Sequence, residues 1–261
     1  MEVSGGEASG RALRGRRTFV AGASSGIGAA TARALAGAGA EVHAAARRRP
    51  ELGSGVVGHE LDVADRGAVE ALAARLTAEG PVHAVIVAAG TNLPERSLER
   101  LSPEAWDMML AVNLTGAYNV VHAFLGALRE SRGDVVLIGS VSGSWPDPSG
   151  PAYQAAKAGL LAFARGAGFE EHRHGVRFTT VLPGVVDTPI LDRRPEPPPP
   201  EVRAHMLKPE DVAAACLFAL SLPPRAHVPE LTVLPTALQA VGKTNVPNPE
   251  PPPAPGSERA T

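Results

Sequence analysis

Apolar and polar positions alternate along this chain in two rhythms. Short runs that are apolar at nearly every position recur at 18–22, 41–45, 56–61, 82–89, 134–139, 176–182 and 230–234. A run such as VHAVIVAA has no polar face, which predicts a strand covered on both sides. Between the runs lie longer stretches with helical spacing, at 26–38, 66–79, 103–129, 152–172 and 209–221. Ser102-Pro103 reads as an N-cap followed by proline in the first helical position, and Asp65 as a cap for the helix after LDVAD. Strand–helix–strand alternation with crossovers of this length predicts an α/β fold, a doubly wound parallel sheet of seven strands in a single domain.

Composition limits what such a domain does. With 44% hydrophobic and 20% charged residues the chain has the make-up of a globular protein with a substantial core. A formal net charge of -2 gives no general attraction to nucleic acid or to an acidic membrane. Cys216 is the one cysteine, so no intrachain disulfide forms. The opening MEVSGGEASGRALRGRR lacks an apolar stretch and does not read as a secretory signal; the expectation is a cytoplasmic protein. Residues 1–15 read as a flexible arm, 16–240 as the domain, and 241–261, rich in proline, as a disordered tail. His172 and His174 do not share a helix face and have no nearby partner ligand, so no metal site is expected.

Two local patterns carry chemistry. The first strand runs into AGASSGIG, where Gly22, Gly26 and Gly28 mark the turn into the first helix. Glycine there allows a sharp turn and lets a pyrophosphate approach the helix N–H groups. The second strand ends in AAARRR; Ala46 stands where NAD-binding proteins of this architecture carry an acid, and Arg47 and Arg48 follow. Guanidinium groups there favour the 2′-phosphate of NADP(H). A solvated basic loop is the plainer alternative. Tyr153 and Lys157 are four apart, on one face of a helix, and a neighbouring cation would lower the phenol pKa enough for general acid–base work.

In order and spacing the segments AGASSGIG, LDVAD, AAG, VNLTG, GSVSG, YQAAK and VLPGVVDT, spread over residues 16–235, resemble the short-chain dehydrogenase/reductase family. The resemblance implies a Rossmann-like fold and assigns roles by position. Tyr153 matches the catalytic acid/base. Lys157 matches the residue that binds the nicotinamide ribose and lowers the tyrosine pKa. Ser140 matches the serine on the reacting oxygen, and Asn113 the asparagine that holds a relay water. Gly22, Ser24, Ser25, Ile27 and Gly28 match the pyrophosphate turn. Asp62 and Val63 match the pair beside the adenine, and Ala89 and Gly90 the turn under the cofactor. Pro183, Gly184, Val186 and Thr188 match the segment at the carboxamide. Trp145 is a candidate substrate contact, with a role in covering loop backbone the equal alternative.

Departures from the family pattern are Ala21 where a threonine is usual and VAAG (Val87 to Gly90) where N-N-A-G is usual. The ending ELTVLPT is similar to a subgroup of NADP-dependent serine dehydrogenases and broad carbonyl reductases. By resemblance, Pro189 to Leu207 is the substrate lid; its proline run predicts a mobile lid without regular helix. The function implied is NADPH-dependent reduction of a ketone or aldehyde by a homodimer or homotetramer. A redox-neutral epimerase or dehydratase and a non-catalytic nucleotide sensor are the alternatives.

Overall fold

Strands without a polar face require cover on both sides, and the computed structural model, which describes residues 13–238, supplies it. Seven strands, β1 (Arg17–Ala21), β2 (Glu41–Ala46), β3 (Val56–Glu60), β4 (Ala84–Val87), β5 (Asp134–Ile138), β6 (Arg177–Pro183) and β7 (Glu230–Val233), form one parallel sheet. Their order is β3-β2-β1-β4-β5-β6-β7. Consecutive strand residues point to opposite layers. Phe19, Val85 and Val135 enter a core built with helices α2 (Arg66–Glu79), α4 (Gly116–Ser131) and α5 (Pro151–Glu171). Val20, Ile86 and Val136 enter a second core, closed by α1 (Gly26–Gly37) and α7 (Pro209–Ser221). The strand order reverses between β1 and β4, and ligands of open α/β sheets bind at the carboxyl ends beside that point.

The opposite end of the sheet is stapled by ions. Asp134, buried at the start of β5, accepts from Arg16 Nη2 and Arg177 Nε, both at 2.6 Å. Arg17 reaches Glu79 at 2.6 Å and Glu41 at 3.0 Å. Leu13 is fully buried and Gly15 N–H donates to Gly39 O at 3.1 Å, so ordered packing begins ahead of residue 16. Residues 1–12 and 239–261, where most of the arm and the whole tail are expected, lie outside the described residues.

The caps form as expected: the Ser102 side chain accepts from Ala105 N–H and that of Asp65 from Ala68 N–H. Two elements differ from expectation. The helix predicted over 103–129 is α3 (Pro103–Leu110), a π turn (Ala111–Thr115) and α4 in continuous succession. The 29-residue stretch Pro103–Ser131 is long enough to span a membrane, and an 18-residue window within it reaches a mean hydropathy of 1.3, but Val120, Phe124 and Leu128 on it are core residues of the sheet. The lid, predicted without regular helix, contains a 3-10 turn (Pro189–Arg193) and a short helix, α6 (Pro200–Arg203). Proline is tolerated in the first helical position, so Pro200 starts α6 where the preceding prolines could not continue one. Leu191, Val202, Met206 and Leu238 then bury one another beneath it.

Candidate active site

The carboxyl end of β1 turns on Gly22, held at φ 86°. A Cβ at Gly22 would stand 2.3 Å from Ala89 N, and one at Gly28 would stand 2.2 Å from Gly22 O. Neither position therefore admits a side chain, and the helix that follows opens with bare amides. Ser25, the N-cap of α1, makes no side-chain cap bond, and no acidic residue occupies the first turn. This is the arrangement an anion needs. Ala21, which stands where a threonine is usual in the family it resembles, contributes through its backbone: its carbonyl accepts Ala88 N–H at 2.8 Å. Gly26 brings Thr188 to the same place, since a Cβ on Gly26 would lie 3.1 Å from Thr188 Cγ2.

The other nucleotide candidates surround this turn. Ala46 ends β2 buried, and Arg47 and Arg48 follow it into solvent. Asp62 Oδ1 accepts Ala64 N–H at 3.0 Å and shapes the loop after β3. Val63 is buried under Gly116, where a Cβ would approach Val63 Cγ2 to 2.6 Å. Ala89 lies against Gly22, and Gly90 lies between Asn113 and Lys157: its Cβ would stand 3.1 Å from Asn113 Oδ1 and 3.7 Å from Lys157 Nζ. Pro183 ends β6, Gly184 N–H donates to Val233 O at 2.8 Å, and Val186 pairs with Leu207.

Ser140, Tyr153, Lys157 and Asn113 come together across three elements. Ser140 leaves β5 and caps a 3-10 turn, accepting Ser142 N–H at 3.1 Å. Its hydroxyl acts on the Tyr153 phenol, one turn into α5. Lys157 follows on the same helix face; its Nζ lies 5.7 Å from the Tyr153 ring centre and donates to Ile138 O at 2.8 Å. Asn113 is buried in the π turn. Its Oδ1 accepts Thr91 N–H at 3.0 Å, and its Nδ2 donates to Thr91 O at 3.1 Å and Met109 O at 2.9 Å. Both amide hydrogens are thereby used, so the side chain clips the β4–α3 loop to the helix and has no donor left for a relay water.

Electrostatics departs from expectation at the central pair. Tyr153 keeps part of its surface open, but the protein crowding its hydroxyl pushes the phenol pKa up to about 12. Ser140 and Arg194 pull it down, and Asp147 adds to the rise. Lys157, fully enclosed, is pushed down to about 8 by burial. The expected lowering of the phenol by its lysine neighbour is thus not what the structure shows. Desolvation penalises both charged forms and is the largest influence on each.

Spacing along the chain did not reveal a third group of charges. Asp147, in the loop that also carries exposed Trp145, accepts from Ser149 N–H at 2.8 Å and from the Ser142 hydroxyl. Arg193 Nη1 donates to Thr91 Oγ1 at 2.7 Å and ties the lid to the loop that Asn113 holds. Arg194 and Arg96 act on each other, with Asp147 between them electrostatically. The one sequence signal was the pair of arginines that opens RRPEPPPP.

Comparison with known proteins agrees with this geometry. Residues 16–198 match the family model described as short chain dehydrogenase. A (3R)-3-hydroxyacyl-CoA dehydrogenase from Canis lupus familiaris is 33% identical over 235 residues, covering 80% of this chain and 90% of the relative. A short chain dehydrogenase from Burkholderia cenocepacia, solved in complex with NADP, superposes with a TM-score of 0.72 at 31% identity, covering 84% of this chain and 88% of that one. An alcohol dehydrogenase from the archaeon Thermococcus sibiricus, complexed with 5-hydroxy-NADP, gives 0.75 at 32% identity, with 85% and 97% covered.

Proposed function

The chain belongs to the short-chain dehydrogenase family and is an oxidoreductase of it, and from that premise we propose that it interconverts a ketone or aldehyde with its alcohol using NADP(H). The observation that carries this reading is the meeting of Ser140, Tyr153 and Lys157 at the carboxyl edge of the sheet, beside a turn in which neither Gly22 nor Gly28 leaves room for a side chain. The residues present fit the nucleotide. Gly22, Ser24, Ser25, Ile27 and Gly28 would face its pyrophosphate, and Arg47 and Arg48 its 2′-phosphate. Asp62 and Val63 would border the adenine. Ala89, Gly90 and Lys157 would border the nicotinamide ribose, with Val186 and Thr188 at the carboxamide. When bound, the nicotinamide supplies or accepts the hydride.

The chain's own residues manage the proton. Ser140 and Tyr153 orient the carbonyl oxygen by hydrogen bonds. The raised phenol pKa keeps Tyr153 protonated at neutral pH, which is the form that gives a proton to the developing alkoxide. Lys157, fixed by the Ile138 carbonyl, positions the ribose at its charged Nζ. Asn113 is a positioning residue that holds Thr91, and through Arg193 the lid, against the site.

The test is consumption of reduced nicotinamide across a panel of ketones, aldehydes, quinones and β-keto thioesters. Tyr153→Phe should lose turnover by about a thousandfold or more while retaining NADPH binding, since it removes the general acid and little volume. Substantial turnover in that variant defeats the proton assignment, and carbonyl-independent chemistry without net cofactor loss favours a redox-neutral enzyme. Arg47→Glu should weaken NADPH about tenfold or more relative to NADH; an unchanged ratio places the 2′-phosphate elsewhere.

A further inference from the structure

A line of hydroxyl groups leads from Tyr153 towards solvent. The phenol is hydrogen-bonded to Ser140. Ser140 Oγ lies 3.1 Å from Ser142 Oγ, and the Ser142 hydroxyl in turn meets Asp147 Oδ2. Ser140 and Ser142 are buried, whereas Asp147, in the loop between the 3-10 turn (Val141–Gly143) and α5, is half-buried and reaches solvent. That loop is held at several points. Asp147 Oδ1 accepts Ser149 N–H at 2.8 Å, and Asp147 O accepts from Gln154 Nε2 at 2.9 Å. Asn92 Nδ2 donates to Ser149 O at 3.1 Å. The carboxylate is thereby fixed at the outer end of the line.

Counting hydrogens fixes the direction of the line. A carboxylate has none to give, so Ser142 donates to Asp147. A serine hydroxyl has one, so Ser142 cannot also donate to Ser140, and Ser140 donates to it. Ser149 Oγ, 3.4 Å from Ser142 Oγ, can likewise only donate to it. With its own hydrogen committed, Ser140 accepts, from Ser142 N–H at 3.1 Å and from the Tyr153 hydroxyl. Every O–H bond from the phenol to Asp147 therefore points outward. A line of hydroxyls is left in this state after it has carried a proton inward, because each oxygen then holds the hydrogen taken from its outer neighbour. The lysine side shows no comparable line among the described residues. Lys157 Nζ donates to Ile138 O, and Asn113 has both amide hydrogens on the Thr91 and Met109 carbonyls.

We propose that Asp147 and Ser142 form a proton entry to the active site, refilling Tyr153 through Ser140 after each reduction. This deepens the carbonyl-reductase reading and rests on it. In the reduction the carbonyl carbon gains hydride from NADPH, which becomes NADP+. The carbonyl oxygen takes the Tyr153 proton and leaves a phenolate. The Ser140 and Ser142 hydroxyls then turn to donate inward, and a solvent proton arrives on Asp147 Oδ2. Asp147 gives it to Ser142, Ser142 gives its own to Ser140, and Ser140 gives its own to the phenolate. The net change is one solvent proton on Tyr153, with the Asp147 carboxylate restored and the hydroxyls again pointing outward. The charged and titratable groups that act on this carboxylate are Arg96 from the β4–α3 loop, Arg194 from the lid and Tyr153 from α5. The carboxylate favours the protonated phenol, so the delivered proton stays on Tyr153 until the next substrate draws it off. Asp147 and Ser142 touch no reacting atom and act through Ser140.

The experiment follows NADPH oxidation by a carbonyl substrate of the panel in stopped flow, through the first turnover and into the steady state. The first turnover draws on the proton already held by Tyr153, and later ones need the line. Ser142→Ala and Asp147→Asn should therefore give a burst of about one NADPH per site near the parent rate, then turn over about tenfold or more slowly through kcat. A solvent deuterium isotope effect should accompany the slow phase and not the burst, and Ser142→Thr, which keeps the hydroxyl, should stay near the parent. Loss of the burst together with the steady state means that these residues only hold the loop. An unchanged steady state means that the phenol is refilled elsewhere. Either result overturns the relay. A titration without substrate reads the line independently of turnover. The chain has two tyrosines, so in a Tyr118→Phe background tyrosinate absorbance reports Tyr153 alone. Ser142→Ala frees the Ser140 hydrogen for the phenolate, and should lower the phenol midpoint from about 12 by about one pH unit, the size of one hydrogen bond. That shift supports the line even if no carbonyl compound is reduced, a result that would sink the reductase reading alone. An unmoved phenol overturns the line.

Discussion

Replacing Lys157 with methionine separates what this lysine costs the fold from what it gives the site. The ammonium is buried, its pKa falls from 10.5 to about 8, and its contact is the Ile138 carbonyl at 2.8 Å. Each tenfold change in proton affinity is worth about 1.4 kcal/mol, so the charged form is disfavoured in the folded chain by about 3 kcal/mol. Methionine has nearly the same length and no charge to desolvate, but it leaves the Ile138 carbonyl without its donor, a loss of about 1–3 kcal/mol. At pH 7 the Lys157→Met protein should therefore be as stable as the parent or up to about 2 kcal/mol more so, while catalysis collapses. The sign of the pH dependence is the sharper check. Between the folded value near 8 and the unfolded value near 10.5, the unfolded chain binds the additional proton, so parent stability rises with pH through that window. From pH 7 to pH 9.5 the parent should gain about 2 kcal/mol relative to the variant, all other groups being common to both. Urea unfolding of the cofactor-free proteins at the two pH values measures this. A variant several kcal/mol less stable at pH 7, or parallel pH profiles, would refute the view that burial governs the lysine.

Two further outcomes follow from the same geometry. Gly22→Ala should abolish nucleotide binding, read by quenching of protein fluorescence or by calorimetry, and lower the thermal midpoint. A Cβ there meets Ala89 N at 2.3 Å and the residue would be held at φ 86°, which together cost about 2–4 kcal/mol; normal NADPH binding would show that the turn is not the cradle. With saturating cofactor, carbonyl reduction should be insensitive to the phenol from pH 6 to pH 8, whereas alcohol oxidation should climb about tenfold per pH step as phenolate accumulates toward a value near 12. An oxidation rate already level at neutral pH would mean that the phenol titrates far lower than its burial implies.

How much of this was legible beforehand depended on whether the determinant was local. The strands were legible because a parallel strand covered on both faces must be apolar throughout, as AVIV in β4 is. Ser102 and Asp65 announced their helices because a cap is a local hydrogen bond. The π turn was not legible: it adds a residue to a turn whose side chain is clipped to Thr91, a partner on another element. Nor was α6, which four prolines seemed to forbid; it is held by the packing of Val202 with Leu191, Met206 and Leu238, the last of these far along the chain. Spacing placed Tyr153 and Lys157 on one helix face, but their pKa values follow from enclosure by several elements, to which spacing is blind. Arg96 and Arg194 belong to two loops that become neighbours only when the lid packs.

The enclosure of the central pair also sets how it handles a proton. Burial leaves Tyr153 protonated, so the phenol by itself is poised to give a proton and poorly suited to take one. Lys157, pushed down to about 8, still carries its charge at neutral pH. Arg194 works against the bias of the phenol, because a guanidinium near it favours phenolate. Packing of the lid, which brings Arg194 to the site, therefore eases the loss of the phenol proton at the moment charge builds on the carbonyl oxygen and the alkoxide becomes the stronger base.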